Sequence, residues 1–271
     1  MTIFVHPLKR ISHPLKTKIL SEDAQSAGNI LLETGAMLMS SGASTHRTRL
    51  TLERIAHGLG YGVELLITQR ALMLTIIEKD QQHFFSRLKR ISPHGVNFRI
   101  VSGISHLSWN VLEDNWTIAQ ISDELKRLKS LPHYPRLVVL GLVGLAGAAF
   151  CRIFGGGYTE MAVAFIATVV GLFVRQETLR VKFNPYLCVF FAAFAASLIA
   201  GLAEHFQIDI DSDTAFATSV LFLVPGVPLI NSVTDLMDGN IQNGIVRAMN
   251  GLMISFSIAM GLFAAKMILN F

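Results

Sequence analysis

Charge is scarce in the second half of this chain. Residues 1–136 hold 17 of the 23 Lys and Arg and 11 of the 19 Asp and Glu. The remaining residues hold six basic and eight acidic groups, so the net charge of +4 divides into +6 and −2. Cysteine is nearly absent. Cys151 and Cys188 each sit inside an apolar run, which argues against a disulfide framework and a thiolate metal centre. Nine histidines are scattered, His46 and His57 are read as sharing no metal-ligand spacing with another donor, and HExxH, GxSxG, P-loop and GxGxxG patterns are all missing. No nucleophile–base arrangement stands out, so the expectation is a protein that is not an enzyme, with no cofactor and no metal. The basic balance lacks the stripe with interleaved aromatics that nucleic-acid binding uses, so no nucleic-acid partner is expected. The first 20 residues carry no continuous apolar stretch and do not form a signal peptide.

What is present divides into three parts: a basic, proline-interrupted segment over residues 1–20, an α+β domain over 21–135, and a membrane domain over 136–271. From Glu22, Ala27, Leu31 and Leu38 share a helical face, beside Ile30 and Met37, and Gly42 ends that helix. Ser44 can cap a second helix, with Leu52, Ile55, Ala56 and Leu59 at helical spacing, until Gly58, Gly60 and Gly62 stop it. Val63, Leu65 and Ile67 alternate, Ala71–Ile77 reads as a more buried strand, and HFFSRL follows a turn at Lys79-Asp80-Gln81. Val96, Phe98 and Ile100 alternate as well and predict a further strand of the same antiparallel sheet. Helices near Ser105–Glu113 and Thr117–Leu131 complete a soluble domain large enough for its own core.

Beyond Arg136 the uncharged runs are Leu137–Cys151, Met161–Val174, Phe183–Ala203, Thr214–Thr234 and Ala248–Ala265. A spanning helix needs roughly 20 mostly apolar residues, so the last three qualify directly. The first two do so as a hairpin whose tip carries Arg152 and Glu160 around Gly155-Gly156-Gly157. Gly141, Gly144, Gly147, Ala196 and Ala200 suit close helix packing. Arg175, Arg180 and Lys182 follow the second run, and the loop EHFQIDIDSD has neither Lys nor Arg. Counting positive residues then gives five transmembrane helices with the N-terminus cytoplasmic and the C-terminus periplasmic. Asp209, Asp211 and Asp213 imitate a calcium loop, but Thr214 and Val220 stand where Gly and Glu belong, so a solvated loop is expected.

The fourth span organises the rest. Pro225, Gly226 and Pro228 interrupt it, and each proline removes a backbone donor. Broken backbone at membrane depth is tolerated only inside protein or beside a water-filled cavity, and transporters build binding sites this way. Asn231, Ser232, Asp235, Asp238, Asn243 and Arg247 follow the break. Of the ionisable groups near the membrane half (Arg152, Glu160, Glu177, Asp235, Asp238, Arg247), Asp235 has the strongest claim to function. An anion attracted by Arg175 and Arg247 would meet the neutral donors Asn231 and Ser232 and the first amides of a half-helix. Asp235 would repel it, and so reads as a proton or cation site coupled to transport.

VPGVPLINSVTDLMDGNIQNGIVR (Val224–Arg247) resembles the signature of the threonine/serine exporter (ThrE-like) family, and SGASTHRTRLTLERIAHGLG (Ser41–Gly60) resembles that family's soluble-domain helix. Tyr134–Gln176 is similar to the same region of the family's two-subunit branch. The resemblance implies a cytosolic domain followed by the larger half of an exporter of threonine and serine, or of succinate-like dicarboxylates. It also implies a bacterial inner-membrane location and a hetero-oligomer with a second, smaller multi-span membrane subunit (YjjB-like), since no second membrane module precedes Phe271. Pro225, Gly226, Pro228, Asn231, Asp235, Gly239, Asn243 and Gly244 carry over from the motif. The competing reading is a membrane-anchored sensor or regulator whose soluble domain binds a ligand. A pure anchor has no use for Pro-Gly-Val-Pro inside a span.

Overall fold

The computed structural model describes residues 22–77, 84–92, 95–132, 134–205 and 212–269. The basic segment 1–20, the turn at Lys79-Asp80-Gln81, and Asp209 and Asp211 of the acidic loop lie outside the described residues.

The N-terminal half runs α1 (Glu22–Ser40), α2 (Thr45–Gly58), β1 (Gly62–Ile67), β2 (Ala71–Ile77), β3 (Phe84–Arg90), α3 (Phe98–Glu113) and α4 (Ile118–Ser130). The strands form one antiparallel sheet in the order β1-β2-β3, with Leu65 opposite Leu74 and Leu74 opposite Arg87. Alternation turns Leu72, Leu74 and Ile76 of β2 inward, where they meet α1 through Leu31 and Leu38. Gly28 and Gly35, two helical turns apart, let α1 lie directly on the Phe85 ring and on Leu72. Ile55 of α2, Ile104 and Leu107 of α3, and Ile121 and Leu125 of α4 close the same core. Every fully buried member of this cluster lies at or before Leu128.

One expected strand is a helix. Asn97 is extended and its side chain accepts from the Ile100 amide at 3.3 Å, so it N-caps α3. Val101, Ile104, Leu107 and Val111 are buried at helical spacing, and they outweigh the three-residue alternation of Val96, Phe98 and Ile100. The sheet therefore has three strands among the described residues, and the helix begins seven residues earlier than the Ser105 start read from the sequence.

The second half is helical: α5 (Arg136–Ile153), α6 (Tyr158–Arg180), α7 (Pro185–His205), α8 (Ser212–Ser219), a 3-10 turn (Leu221–Leu223), α9 (Gly226–Met237) and α10 (Ile241–Leu269). By length and composition α5, α6, α7 and α10 are each able to cross a membrane. Residues 214–223 and 226–237 are long and apolar enough only when taken together, and they are bent by 62° at the break. α5 and α6 form the expected hairpin: Gly155 turns at φ +96°, and Arg152 Nη1 donates to the Gly156 carbonyl at 3.2 Å. Arg136 closes its open end by pairing with Glu177. Gly144 faces Phe165 and Val169, and Gly147 faces Thr168, whereas Gly141 has no neighbour within 4 Å. α7 and α10 run side by side in the same direction. Tyr186 Oη donates to Asn250 Oδ1 at 2.9 Å near their starts, and Gly261 further along α10 lies on Phe190 and Ala193. Outward faces are apolar, as in Leu142 and Leu145 of α5 and Met249, Phe256 and Phe263 of α10.

Candidate functional site

The break between the 3-10 turn and α9 follows from the proline chemistry. Pro225 precedes the first residue of α9 and makes no side-chain cap, so the helix restarts at a new angle. α9 then carries polar residues on one face and Ile230, Val233 and Met237 on the exposed opposite face. The polar face meets the turn between α1 and α2, more than 180 residues away in sequence.

Asp235 is the centre of that contact and has no exposed surface. Its Oδ1 accepts from the Thr45 backbone amide at 2.9 Å, and its Oδ2 accepts from Thr45 Oγ1 at 3.0 Å. Thr45 is the first residue of α2, so the carboxylate satisfies a helix N-terminus that Ser44 caps only in part, through Arg47 N at 3.2 Å. The positive end of the α2 dipole favours a negative charge at this point. Arg247 of α10 provides the countercharge, its Nε 3.0 Å from Asp235 Oδ2 and its side chain almost entirely buried. That N–H does not point along the line to the oxygen, so the contact is ionic rather than a hydrogen bond. Arg247 Nη2 donates instead to the Ala43 carbonyl at 2.9 Å.

Three further side chains tie the halves together or brace the contact. Asn231 Nδ2 donates to the Gly42 carbonyl at 2.8 Å, and Asn243 Nδ2 donates to Thr45 Oγ1 at 3.0 Å and to the Ile67 carbonyl at 2.8 Å. Ser232 Oγ donates to the Gly244 carbonyl at 2.8 Å and locks α9 to α10. Gly42 has φ +90°, a conformation that side chains disfavour, and the turn it makes presents successive carbonyls of residues 42 and 43 to α9 and α10. The two stretches that resemble one family's signature are thus the two sides of one buried polar junction.

Beside the junction lies a cavity of about 210 Å³. Its walls include Gln69 and Arg70 from the β1–β2 turn, Val227 and Pro228 from the first turn of α9, and Asn231 and Arg247. Of the residues singled out in the sequence, Pro228, Asn231 and Arg247 reach this cavity. Ser232, Asn243 and Asp235 are held in the contacts described above, and Pro225 and Gly226 form the break itself. Arg175 lies on α6, away from the cavity lining. Thr45, Gln69 and Arg70 carried no signal in the sequence. No group of three or more His, Cys, Asp or Glu able to hold a metal occurs among the described residues.

These features define a polytopic membrane protein in which a broken, polar-faced helical segment packs on an N-terminal α+β unit. The family model described as "Putative threonine/serine exporter" matches residues 29–269, and the chain belongs to the threonine/serine exporter family. It is 30% identical over 250 residues to the "Probable succinate transporter subunit YjjP" of Escherichia coli K12, covering 90% of this chain and 95% of that one. The protein of the same description from Klebsiella aerogenes is 29% identical over 247 residues, 90% of this chain and 94% of the relative. The "Threonine/serine exporter" of Corynebacterium glutamicum is 24% identical over 92% of this chain but only 53% of its own length. No solved structure matches the chain at a significant level.

Proposed function

We propose that the chain is one subunit of a secondary-active exporter that moves small carboxylates, a dicarboxylate such as succinate or the amino acids threonine and serine, out across the bacterial inner membrane. The observation that carries this reading is the broken span, with its polar face packed on a separate unit and a cavity at the start of the new helix. That is how a transporter brings a polar solute to hydrocarbon depth. Family membership and the names of the relatives supply the substrate class.

The parallel packing of α7 and α10 supports five crossings. If both helices leave the same side, the chain between them has to return, and the broken pair is the segment that returns it. With Arg180 and Lys182 at the α6–α7 turn inside, the N-terminus is cytoplasmic, the C-terminus is periplasmic, and residues 21–135 form a cytosolic domain. The confinement of the N-terminal core to residues at or before Leu128 agrees with a domain that folds on its own. A second, smaller YjjB-like subunit completes the exporter as a hetero-oligomer. The relatives that this chain covers almost end to end are named subunits, and the exposed apolar face of α9 at the rim of the bundle is a surface for such a partner.

Within this scheme Asp235 is the coupling group. Protonation removes its charge, leaves Arg247 buried without a countercharge, and takes away an acceptor from Thr45, so the junction loosens. Asn231, the first turn of α9 and Arg247 meet the substrate, while Ser232 and Asn243 position them. A membrane-anchored sensor would share the junction and the cavity but has no need of a break inside a span.

Inverted inner-membrane vesicles test the proposal. With both subunits present they should accumulate labelled succinate or threonine against a gradient, and with this chain alone they should not. No uptake of either solute with both subunits would contradict the exporter reading. In the same vesicles a Val181→Cys variant should react with an impermeant thiol reagent that leaves it unlabelled in intact cells. The reverse pattern would overturn the orientation.

A further inference from the structure

The cavity beside the junction has a composition that the family resemblance does not account for. Its cations come from both halves of the molecule, Arg247 from α10 and Arg70 from the β1–β2 turn, and no Asp or Glu is among its lining residues. Asp235, close by, is wholly taken up by Thr45 and Arg247 and does not line it. Arg247 is thereby neutralised. Arg70 has no acidic partner among the described residues, so it carries the uncompensated positive charge of the site.

The Arg70 side chain is exposed, but the backbone that carries it is fixed. The turn that carries it is closed by Thr68, whose backbone amide donates to the Ala71 carbonyl at 2.9 Å and whose Oγ1 accepts from the Ala71 amide at 3.0 Å. The carbonyl of Arg70 itself accepts from the Ile91 amide at 2.8 Å, and that of Ile67 from Asn243 at 2.8 Å. The turn is therefore fixed to the membrane half through a residue of the junction.

Neutral polar side chains line the cavity as well. Asn250 accepts from Tyr186 Oη at 2.9 Å, and its amide N–H groups have no acceptor among the described residues. Gln69 has a buried Oε1 without a partner among the described residues, and a half-turn of its amide presents N–H groups in the same place. Val227 and Pro228 put the positive end of α9 at the cavity. A neighbouring cavity of about 600 Å³ shares Ser40, Ser92, Gly95 and Val96 with this one; Lys129 there pairs with Glu33, and Lys89 and Arg90 leave the approach with a positive excess. The smaller volume falls below the roughly 300–1,000 Å³ of sites for drug-sized ligands and suits a metabolite of a few carbons.

We infer that this cavity is where a small dicarboxylate is taken up from the cytosolic side, and that Arg70 binds one of its carboxylates. The inference rests on the exporter reading and narrows it. A zwitterion such as threonine or serine brings an ammonium group, which needs an anionic or acceptor-rich partner. The site offers guanidinium, amide groups and a helix N-terminus and no carboxylate among its lining residues, so it favours the diacid. Arg70 thus makes the N-terminal unit part of the substrate site rather than only a support.

The test uses inverted vesicles containing both subunits, with radiolabelled succinate and threonine as probes and rates normalised to assembled complex. Replacing the charged hydrogen bond of an exposed arginine should cost about tenfold in binding, at the weaker end of such bonds. Arg70→Gln should therefore raise the half-saturating succinate concentration about tenfold while the maximal rate changes far less, and Arg70→Lys should recover part of the loss. Wild-type protein should prefer succinate to threonine, and Arg70→Gln should narrow that preference. Succinate transport by the wild type with an unchanged half-saturating concentration in Arg70→Gln would overturn the site while leaving the exporter reading intact. Equal handling of threonine and succinate by the wild type would overturn the selectivity. Transport of neither solute would remove the exporter reading and this inference with it.

Discussion

Asp235 illustrates what a single buried charge does here. It is an acceptor for two groups of Thr45 and an ion-pair partner of Arg247, and it lies away from water on all sides. A buried pair contributes little net stability compared with a well-packed apolar pair, but breaking it by removing one partner costs about 3–5 kcal/mol. Asp235→Ala should therefore lower the melting temperature of the purified complex markedly, and Asp235→Ala combined with Arg247→Leu should regain part of the loss. A single variant that melts with the wild type would mean the junction does not hold the two halves together. The sequence singles out Asp235 and Arg247, because intramembrane charge is rare and follows a broken helix. It does not reveal Thr45. A threonine one residue after a capping serine reads as an ordinary helix start, and its partner is 190 residues away. Nor does it show that Ser232 and Asn243 spend their hydrogen bonds within the protein, since a polar side chain after a break looks the same whether it meets a solute or a neighbouring carbonyl.

At the scale of elements, the helices of the membrane half are legible because their apolar runs are long, and α1 and α2 because their apolar positions repeat at helical spacing. The start of α3 was not. Three alternating residues satisfy a strand pattern, and only the Asn97 cap together with the 101-104-107-111 spacing discloses the helix. The small residues of the spans look equivalent in the sequence and are not. A Cβ at Gly261 would stand 2.7 Å from the Phe190 carbonyl and 2.9 Å from the Phe194 amide, backbone atoms that cannot step aside. Gly141 meets nothing within 4 Å. Gly261→Ala should thus push α7 and α10 apart and destabilise the assembled protein by about 1–3 kcal/mol. Gly141→Ala should be neutral or stabilising by up to about 1 kcal/mol, because alanine is the better helix former. Thermal unfolding in the same detergent separates the two, and equal effects would show that the α7–α10 contact is not tight.

For the whole molecule, the sequence gives the division into an α+β part and an apolar helical part, since charge and hydropathy change together near Arg136. The way the parts meet depends on side chains that converge only after folding. The α1–α2 turn, the β1–β2 turn, the start of α9 and the start of α10 come together around Asp235 and the adjoining cavity. A solute at the cavity and a proton at Asp235 would act on the same junction, so each would alter the response to the other. The most direct test is the rate of succinate uptake into inverted vesicles as a function of an imposed proton gradient, measured with both subunits and normalised to assembled complex. The wild-type rate should rise as the lumen is acidified. Asp235→Asn, which fixes this position as neutral, should still saturate with succinate but show a rate independent of the gradient. An Asp235→Asn complex that retains the wild-type dependence on the gradient would contradict the coupling role assigned to this junction.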